Sequence, residues 1–281
     1  MKLKHFTVVL IAITFWLDSC DTSTGGDGEQ IPATTKVLLL SNDASGMAWF
    51  DTTAVKYISG LEISSINIRD SIPTAADLKQ YDVVLFSENG LLSLSDSIGS
   101  VLHDFVMAGG NLLMSTFVWQ DRSDNIGNGG DPWITNLGKL EDIDPLMGGS
   151  CRYANEDLGT INDHALTKGV DSLNTYYRGG PTTLRSGATA VAWWADGDIF
   201  IGYNKPNGRI TGVTTWVYEP GWNNVMPQPG FMQLWSNALF YTAWGSVPEA
   251  LVTLPSKANL DSDDDRINTQ PTGIAGSGSS R

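Results

Sequence analysis

The chain has 281 residues, 41% of them hydrophobic and 17% charged, which is enough apolar material for one large cored domain or two small ones. Its net charge of −14 and pI near 4.4 exclude a partner bound through nucleic-acid phosphates, since no basic cluster offsets the repulsion. With two cysteines and three histidines, a zinc or iron site built on soft ligands is excluded as well, and neither a metal nor a cofactor is expected.

Lys2, Lys4 and His5 precede an apolar run from Phe6 to Leu17, too short to span a bilayer but of the right make-up for an export signal. Leu17-Asp18-Ser19-Cys20 resembles a bacterial lipobox, in which the cysteine is lipidated and becomes the mature N-terminus. Asp18 departs from that pattern, and an ordinary cleaved signal with an incidental cysteine is the alternative. The expectation is a lipoprotein-type signal over 1–19, lipidation at Cys20 and a polar tether over 20–34. The protein would then be exported to the cell envelope and held at the membrane by its lipid alone. Cys151 would be the one remaining thiol, unable to form an internal disulfide.

From Thr35 onward strands and helices alternate. Val37 to Leu40 is a short apolar run suited to a buried parallel strand. A helix is expected near Met47–Ser59, an edge strand over Leu61–Arg69, and a helix start at Pro73-Thr74. Val83 to Phe86 is another buried strand. Ile98, Val101, Leu102, Phe105 and Val106 recur at helical spacing and stop at Gly109-Gly110; Leu112 to Met114 then starts a further buried strand. This order implies right-handed crossovers and a parallel sheet covered on both faces. Trp119 to about Arg178 is less regular. Asn204 to Gly208 marks a hairpin turn, and Phe231, Leu234, Trp235, Ala238 and Leu239 form a last helix. Residues 246–281, rich in Pro, Ser, Asp and Gly, are expected to be a disordered tail.

The segments around Tyr81–Gly90, Leu102–Thr116, Asp163–Val170, Gly187–Trp194, Gly208–Trp216 and Phe231–Trp244, in that order and spacing, resemble the class I glutamine amidotransferase-like superfamily. The likeness is nearest to its ThuA-like and β-galactosidase-associated branches. It implies one domain over 35–245 with an α/β, flavodoxin-like three-layer sandwich: a mostly parallel central sheet plus a C-terminal hairpin and helix. In catalytic members a strand after a glycine-rich segment ends in a cysteine flanked by small residues, which permit the tight turn a nucleophile needs. That position falls at Thr116, between Ser115 and the bulky Phe117. His164, in Asp163–Val170, does not match the late histidine of catalytic members.

Ligands of open α/β sheets bind beyond the carboxyl ends of the strands. Here that position offers Asn42 and Asp43, then Ser87, Glu88 and Asn89, then Trp119, Gln120 and Asp121 beside Ser115 and Thr116. Carboxylates, amides and a stacking face suit a sugar. Trp119, Trp133, Trp216 and Trp222, with Tyr218, are expected in or beside loops, Trp222 as a further stacking residue. Asp43 and Glu88 as a glycosidase pair, and calcium at the Asp-rich stretches 121–131 and 261–268, have weaker support than solvated loops. The reading is a non-catalytic amidotransferase-like envelope lipoprotein that binds a carbohydrate or another envelope component. The alternatives are a hydrolase or amidase using Thr116 or Ser115 with His164, and a structural or assembly module. The oligomeric state is left open.

Overall fold

Apolar runs with a polar residue at each end build the first half of the structure. The computed structural model describes residues 31–69, 71–90, 92, 94–119, 137–148, 151–180, 182–217, 229–249 and 251–253. Two compact units divide the chain, Met1–Gln30 and Ile31–Arg281, and every described residue belongs to the second. Strand β1 (Thr35–Ser41) leads into helix α1 (Ala44–Tyr57), strand β2 (Leu61–Asn67), the short helix α2 (Ala75–Leu78), strand β3 (Val83–Phe86), helix α3 (Ser95–Met107) and strand β4 (Leu112–Thr116). Asp43 starts α1 by accepting a hydrogen bond from the Gly46 amide at 3.1 Å. Thr74 and Asp77 make a reciprocal capping box at α2. Gly109, at φ 94°, ends α3 in a left-handed turn that a side chain would strain. β2, β1, β3 and β4 lie side by side and parallel, and Val83, Val84, Leu85 and Phe86 of β3 are all buried.

The second half follows a different rule. After a 3-10 turn over Gly138–Asp142 come β5 (Leu146–Met147), β6 (Cys151–Ile161), β7 (Asn174–Gly179), β8 (Thr183–Leu184), β9 (Thr189–Trp194), β10 (Ile199–Asn204) and β11 (Ile210–Trp216), and then helix α4 (Pro229–Trp244). Among the described strands of this half, β11 alone pairs with the first half, lying parallel to β4. The order across the large sheet is β10-β9-β6-β7-β11-β4-β3-β1-β2, and β10 also pairs with β11, so β10, β9, β6, β7 and β11 close into a five-stranded barrel. Among the described residues four strand pairings are parallel and six are antiparallel.

This corrects the expected flavodoxin-like, mostly parallel sandwich: the sheet is mostly antiparallel and closes on itself. The physical reason is the connections. Parallel neighbours need a crossover of a dozen or more residues, usually helical, whereas short turns make only antiparallel pairs. Among the described residues no α-helix lies between β4 and α4, and β10 reaches β11 through the Asn204–Gly208 turn. That turn is the hairpin read from the sequence.

Two apolar clusters pack on opposite faces of the parallel strands. Val37, Leu39, Val83, Leu85 and Leu113 meet Phe50 and Ala54 of α1 and Leu234, Trp235 and Leu239 of α4. Leu38, Leu40, Val84, Phe86 and Met114 meet Leu78 of α2 and Ile98, Leu102, Phe105 and Val106 of α3. The alternation follows from the two-residue period of a strand. Among the described residues no helix is long and apolar enough to cross a membrane.

The second cluster allows a direct test of packing. A Cβ at Gly99 of α3 would overlap the backbone carbonyl of Leu137, which has no flexible end to yield. Gly99→Ala is therefore expected to lower stability by about 1–3 kcal/mol, despite alanine's better helix propensity, as read by urea denaturation.

Candidate functional site

Reading outward from β1, the strand order reverses between β1 and β3, and that is where an open sheet leaves its crevice. The residues expected there do meet. Asn42 accepts from the Asn89 amide through Oδ1 at 2.8 Å and donates through Nδ2 to the Gly90 carbonyl at 3.1 Å. Asp43 accepts from Gly46 on one oxygen and from Asn89 Nδ2 on the other, at 3.2 Å. Ser87 Oγ donates to the Thr116 carbonyl, and Phe117 N–H donates to the Glu88 carbonyl. These bonds stitch the ends of β1, β3 and β4 together. Asn42, Ser87, Glu88, Ser115 and Thr116 are all buried, while Asp43 and Asn89 are half-buried. With both carboxylate oxygens already accepting from α1 and Asn89, Asp43 is a structural cap.

Above β4 the space is filled by rings. Phe117 and Trp216 are each 3% exposed, with centroids 5.8 Å apart, and Tyr177 packs edge-on against both, 6.2 Å and 5.2 Å away. Tyr153 and Tyr176 extend the cluster to the surface. Trp119 is core: it is buried and its ring lies over Gly212 of β11, where a Cβ would sit 2.9 Å from it. It therefore offers no stacking face. Gln120, Asp121, Trp133, Tyr218, Trp222 and Cys20 lie outside the described residues, as do both Asp-rich stretches.

Thr116 and His164 are not brought together. Thr116 Oγ1 is buried and has no hydrogen-bond partner among the described residues; it faces Gly179 of β7, where a Cβ would sit 2.9 Å away. Ser115 Oγ donates to the Thr215 carbonyl at 2.9 Å. His164 accepts the Leu166 amide on Nδ1, stacks on Tyr203 at 5.2 Å and meets Tyr241 at 4.9 Å. Tyr203 pairs with Thr211, which pairs with Leu113. Thr116 is three residues further along β4 and two strands across, on the order of 10 Å in each direction by strand geometry. Burial lowers the His164 pKa, against a smaller upward pull from Asp163. Burial, reinforced by Tyr203, pushes the Tyr241 phenol up to about 12. The imidazole is thus part of a neutral aromatic stack.

Two features escaped the sequence. Arg178 of β7 is 2% exposed and sits at the barrel mouth above Trp194, its guanidinium 5.7 Å from the ring. Its nitrogens meet Asp196, Asp198 at 3.3 Å and Glu156 at 3.4 Å, and Arg152 donates to Asp198 at 2.8 Å. Burial pulls the Asp196 carboxyl pKa up, but the hydrogen bonds from Arg178 and from the Asp198 amide outweigh it and hold the group below the usual range. Two acids in the Trp194–Asp198 turn were the only hint of this ring of charge. The other feature is a cavity of about 340 Å³ lined by Asp157, Leu158, Asp171, Ser172, Leu173 and Asn174, beside the far end of the β6–β7 ladder.

The fold has recognisable company. A cytoplasmic protein from Salmonella typhimurium superposes with a TM-score of 0.56 at 16% identity, over 74% of this chain and 99% of its own. A ThuA-like protein from Bacteroides uniformis does so with 0.52 at 12%, over 78% and 95%. A β-galactosidase from Bacillus circulans matches with 0.51 at 15%, over 79% of this chain but only 32% of the enzyme. At these identities the likeness is one of fold. No protein-family model and no curated protein matches the chain.

Magnitudes separate the ion pairs. Removing one partner of a buried pair strands charge, so Arg178→Ala is expected to cost about 3–5 kcal/mol. Lys168→Ala, which breaks an exposed pair with Glu249, is expected to cost less than about 1 kcal/mol; chemical denaturation of both variants checks the contrast. His164 supplies a pH signature. Its lowered folded pKa means the unfolded chain takes up the proton more readily, so its contribution is present above pH 6.5 and lost as pH falls below it. The melting temperature should fall more steeply across that window in the wild type than in His164→Phe, which keeps the stack with Tyr203 and Tyr241.

Proposed function

We propose that this chain is a non-catalytic, amidotransferase-like envelope lipoprotein, lipidated at Cys20, that binds a carbohydrate or another envelope component. One observation carries the non-catalytic part. At the position where catalytic relatives of this fold hold a cysteine, Thr116 points a buried, unpartnered hydroxyl at Gly179. Acyl transfer from a hydroxyl needs an adjacent base and an open face for the substrate. Among the described residues no base lies within hydrogen-bond range of the Thr116 hydroxyl, and Phe117, Tyr177 and Trp216 occupy the face. The hydrolase alternative using Thr116 or Ser115 with His164 therefore lacks geometric support.

The carbohydrate part rests on less. The fold recurs within a β-galactosidase, where it makes up about a third of the chain, and the protein's surface offers tyrosines and carboxylates of the kind sugars use. The lipoprotein part rests on the basic start, the apolar run and Leu17–Cys20.

Two measurements test the proposal. Thr116→Val should leave ligand binding intact and change stability by no more than about 1 kcal/mol, because the hydroxyl it removes is buried without a partner. Hydrolysis of ester or amide substrates by the wild type that disappears in Thr116→Val would overturn the reading. Cys20→Ser should move the protein from the membrane fraction to the soluble fraction of expressing bacteria, and an unchanged distribution would remove the lipid anchor.

A further inference from the structure

We infer that the cavity between Asp157 and Asp171 is a saccharide-binding site, an inference that rests on the carbohydrate reading above and gives it a location. The cavity measures about 340 Å³, at the lower end of the range in which small-molecule sites fall. Its lining is divided. Leu173 is buried and Leu158 half-buried, and both belong to the α4-side core, so they form a fixed apolar floor. Asp157, Asp171, Ser172 and Asn174 supply polar walls.

The walls are held in place by the surrounding backbone. Leu158 N–H donates to the Leu173 carbonyl at 2.8 Å, and Ala195 N–H donates to the Asp157 carbonyl at 3.0 Å. Asn174 Nδ2 donates to Asp157 Oδ1 at 2.8 Å, which orients the planes of both side chains before any ligand arrives. Gly230, at the start of α4, lies so close to the Ser172 carbonyl that no side chain would fit there. Asp157 therefore keeps Oδ2 for a ligand, and neither Asp171 nor the Ser172 hydroxyl has a hydrogen bond among the described residues that would hold it back.

A sugar ring matches this division. One face presents C–H groups to an apolar floor, and neighbouring hydroxyls donate to a carboxylate in pairs, as charge-assisted bonds of fixed direction. A divalent cation matches it poorly. Calcium wants six to eight oxygens, and among the described residues no group of three His, Cys, Asp or Glu side chains stands close enough to hold a metal.

The test is titration of the full-length protein with glucose, galactose and N-acetylglucosamine at millimolar concentration, followed by saturation-transfer NMR. Asp157→Asn and Asp171→Asn serve as site variants, and Asp104→Asn on α3 as a remote control. The expected result is binding of at least one sugar, weakened about tenfold or more by each site variant and unchanged by the control. Asp171→Asn breaks no hydrogen bond among the described residues, so it keeps the test open should Asp157→Asn melt early. Binding that persists unchanged in both site variants overturns this location and leaves the carbohydrate reading standing. Absence of binding by all three sugars overturns both. A calcium-induced stabilisation that the same two variants abolish, without sugar binding, marks the cavity as a cation site instead.

Discussion

Strand β11 carries the architecture because it belongs to two sheets at once. On one edge it runs parallel to β4, completing the N-terminal sheet; on the other it is shared in sequence by β10, along Ile210–Val213, and by β7, at Thr215. Every residue from Ile210 to Trp216 is buried. A strand flanked on both edges and covered on both faces must satisfy all its polar groups internally, and its threonines do so. Thr214 accepts from Trp194 Nε1 and donates to the Ile199 carbonyl, Thr215 bonds to Thr175, and Thr211 to Thr242 of α4. A register slip in β11 would break these bonds and both sheets together.

That shared edge also decides what the end of β4 can do. Between Val213 and Trp216 the pairing with β4 slips, so that Thr116 stands opposite Trp216. Closure of the barrel then brings β7 across the same place. Gly179 is tolerated there because it has no side chain to displace the Thr116 hydroxyl. In an open sheet the end of such a strand faces solvent and can present a nucleophile. Here the antiparallel half has moved into that space, and the Phe117, Tyr177 and Trp216 rings seal it. The contact with Gly179 and the ring cluster thus leave the end of β4 enclosed by the antiparallel half.

The sequence showed what depends on local pattern. Val37–Leu40, Val83–Phe86 and Leu112–Met114 are apolar runs with clear ends, and α3 carries a helical stripe closed by glycines, so these elements and their parallel pairing could be read directly. Asn42, Asp43, Ser87 and Asn89 were legible as strand ends that meet, but not as strand ends that stitch each other shut. The antiparallel half was hidden because its identity lies in long-range pairing. β6 contains Asn155, Glu156 and Asp157 in succession and shows no alternation, since it bends between β7 and β9 and exposes much of its length. Arg178 leaves no mark in the local sequence because the acids around it, Glu156, Asp196 and Asp198, come from other parts of the barrel. Trp119 does lie in the turn after β4, as read, but its burial against the bare backbone of Gly212 on another strand leaves no trace in the local sequence.

The usual rule for α/β sheets places ligands where neighbouring strands leave in opposite directions and their loops part. The rule depends on divergence, and this protein removes the divergence twice: hydrogen bonds among Asn42, Asp43 and Asn89 close the gap at β1 and β3, and β7 closes the gap beyond β4. Backbones still separate further along β7. Its single pairing with β11 is at Arg178, so the antiparallel ladder with β6 carries on without β11 down to Asp157 and Asn174. There the chain returning from His164 passes Asp171 and enters β7, and a hollow opens with polar walls over Leu158 and Leu173. Among the described residues, the hollow at Asp157 and Asn174 therefore lies where the β6–β7 ladder runs on beyond its pairing with β11.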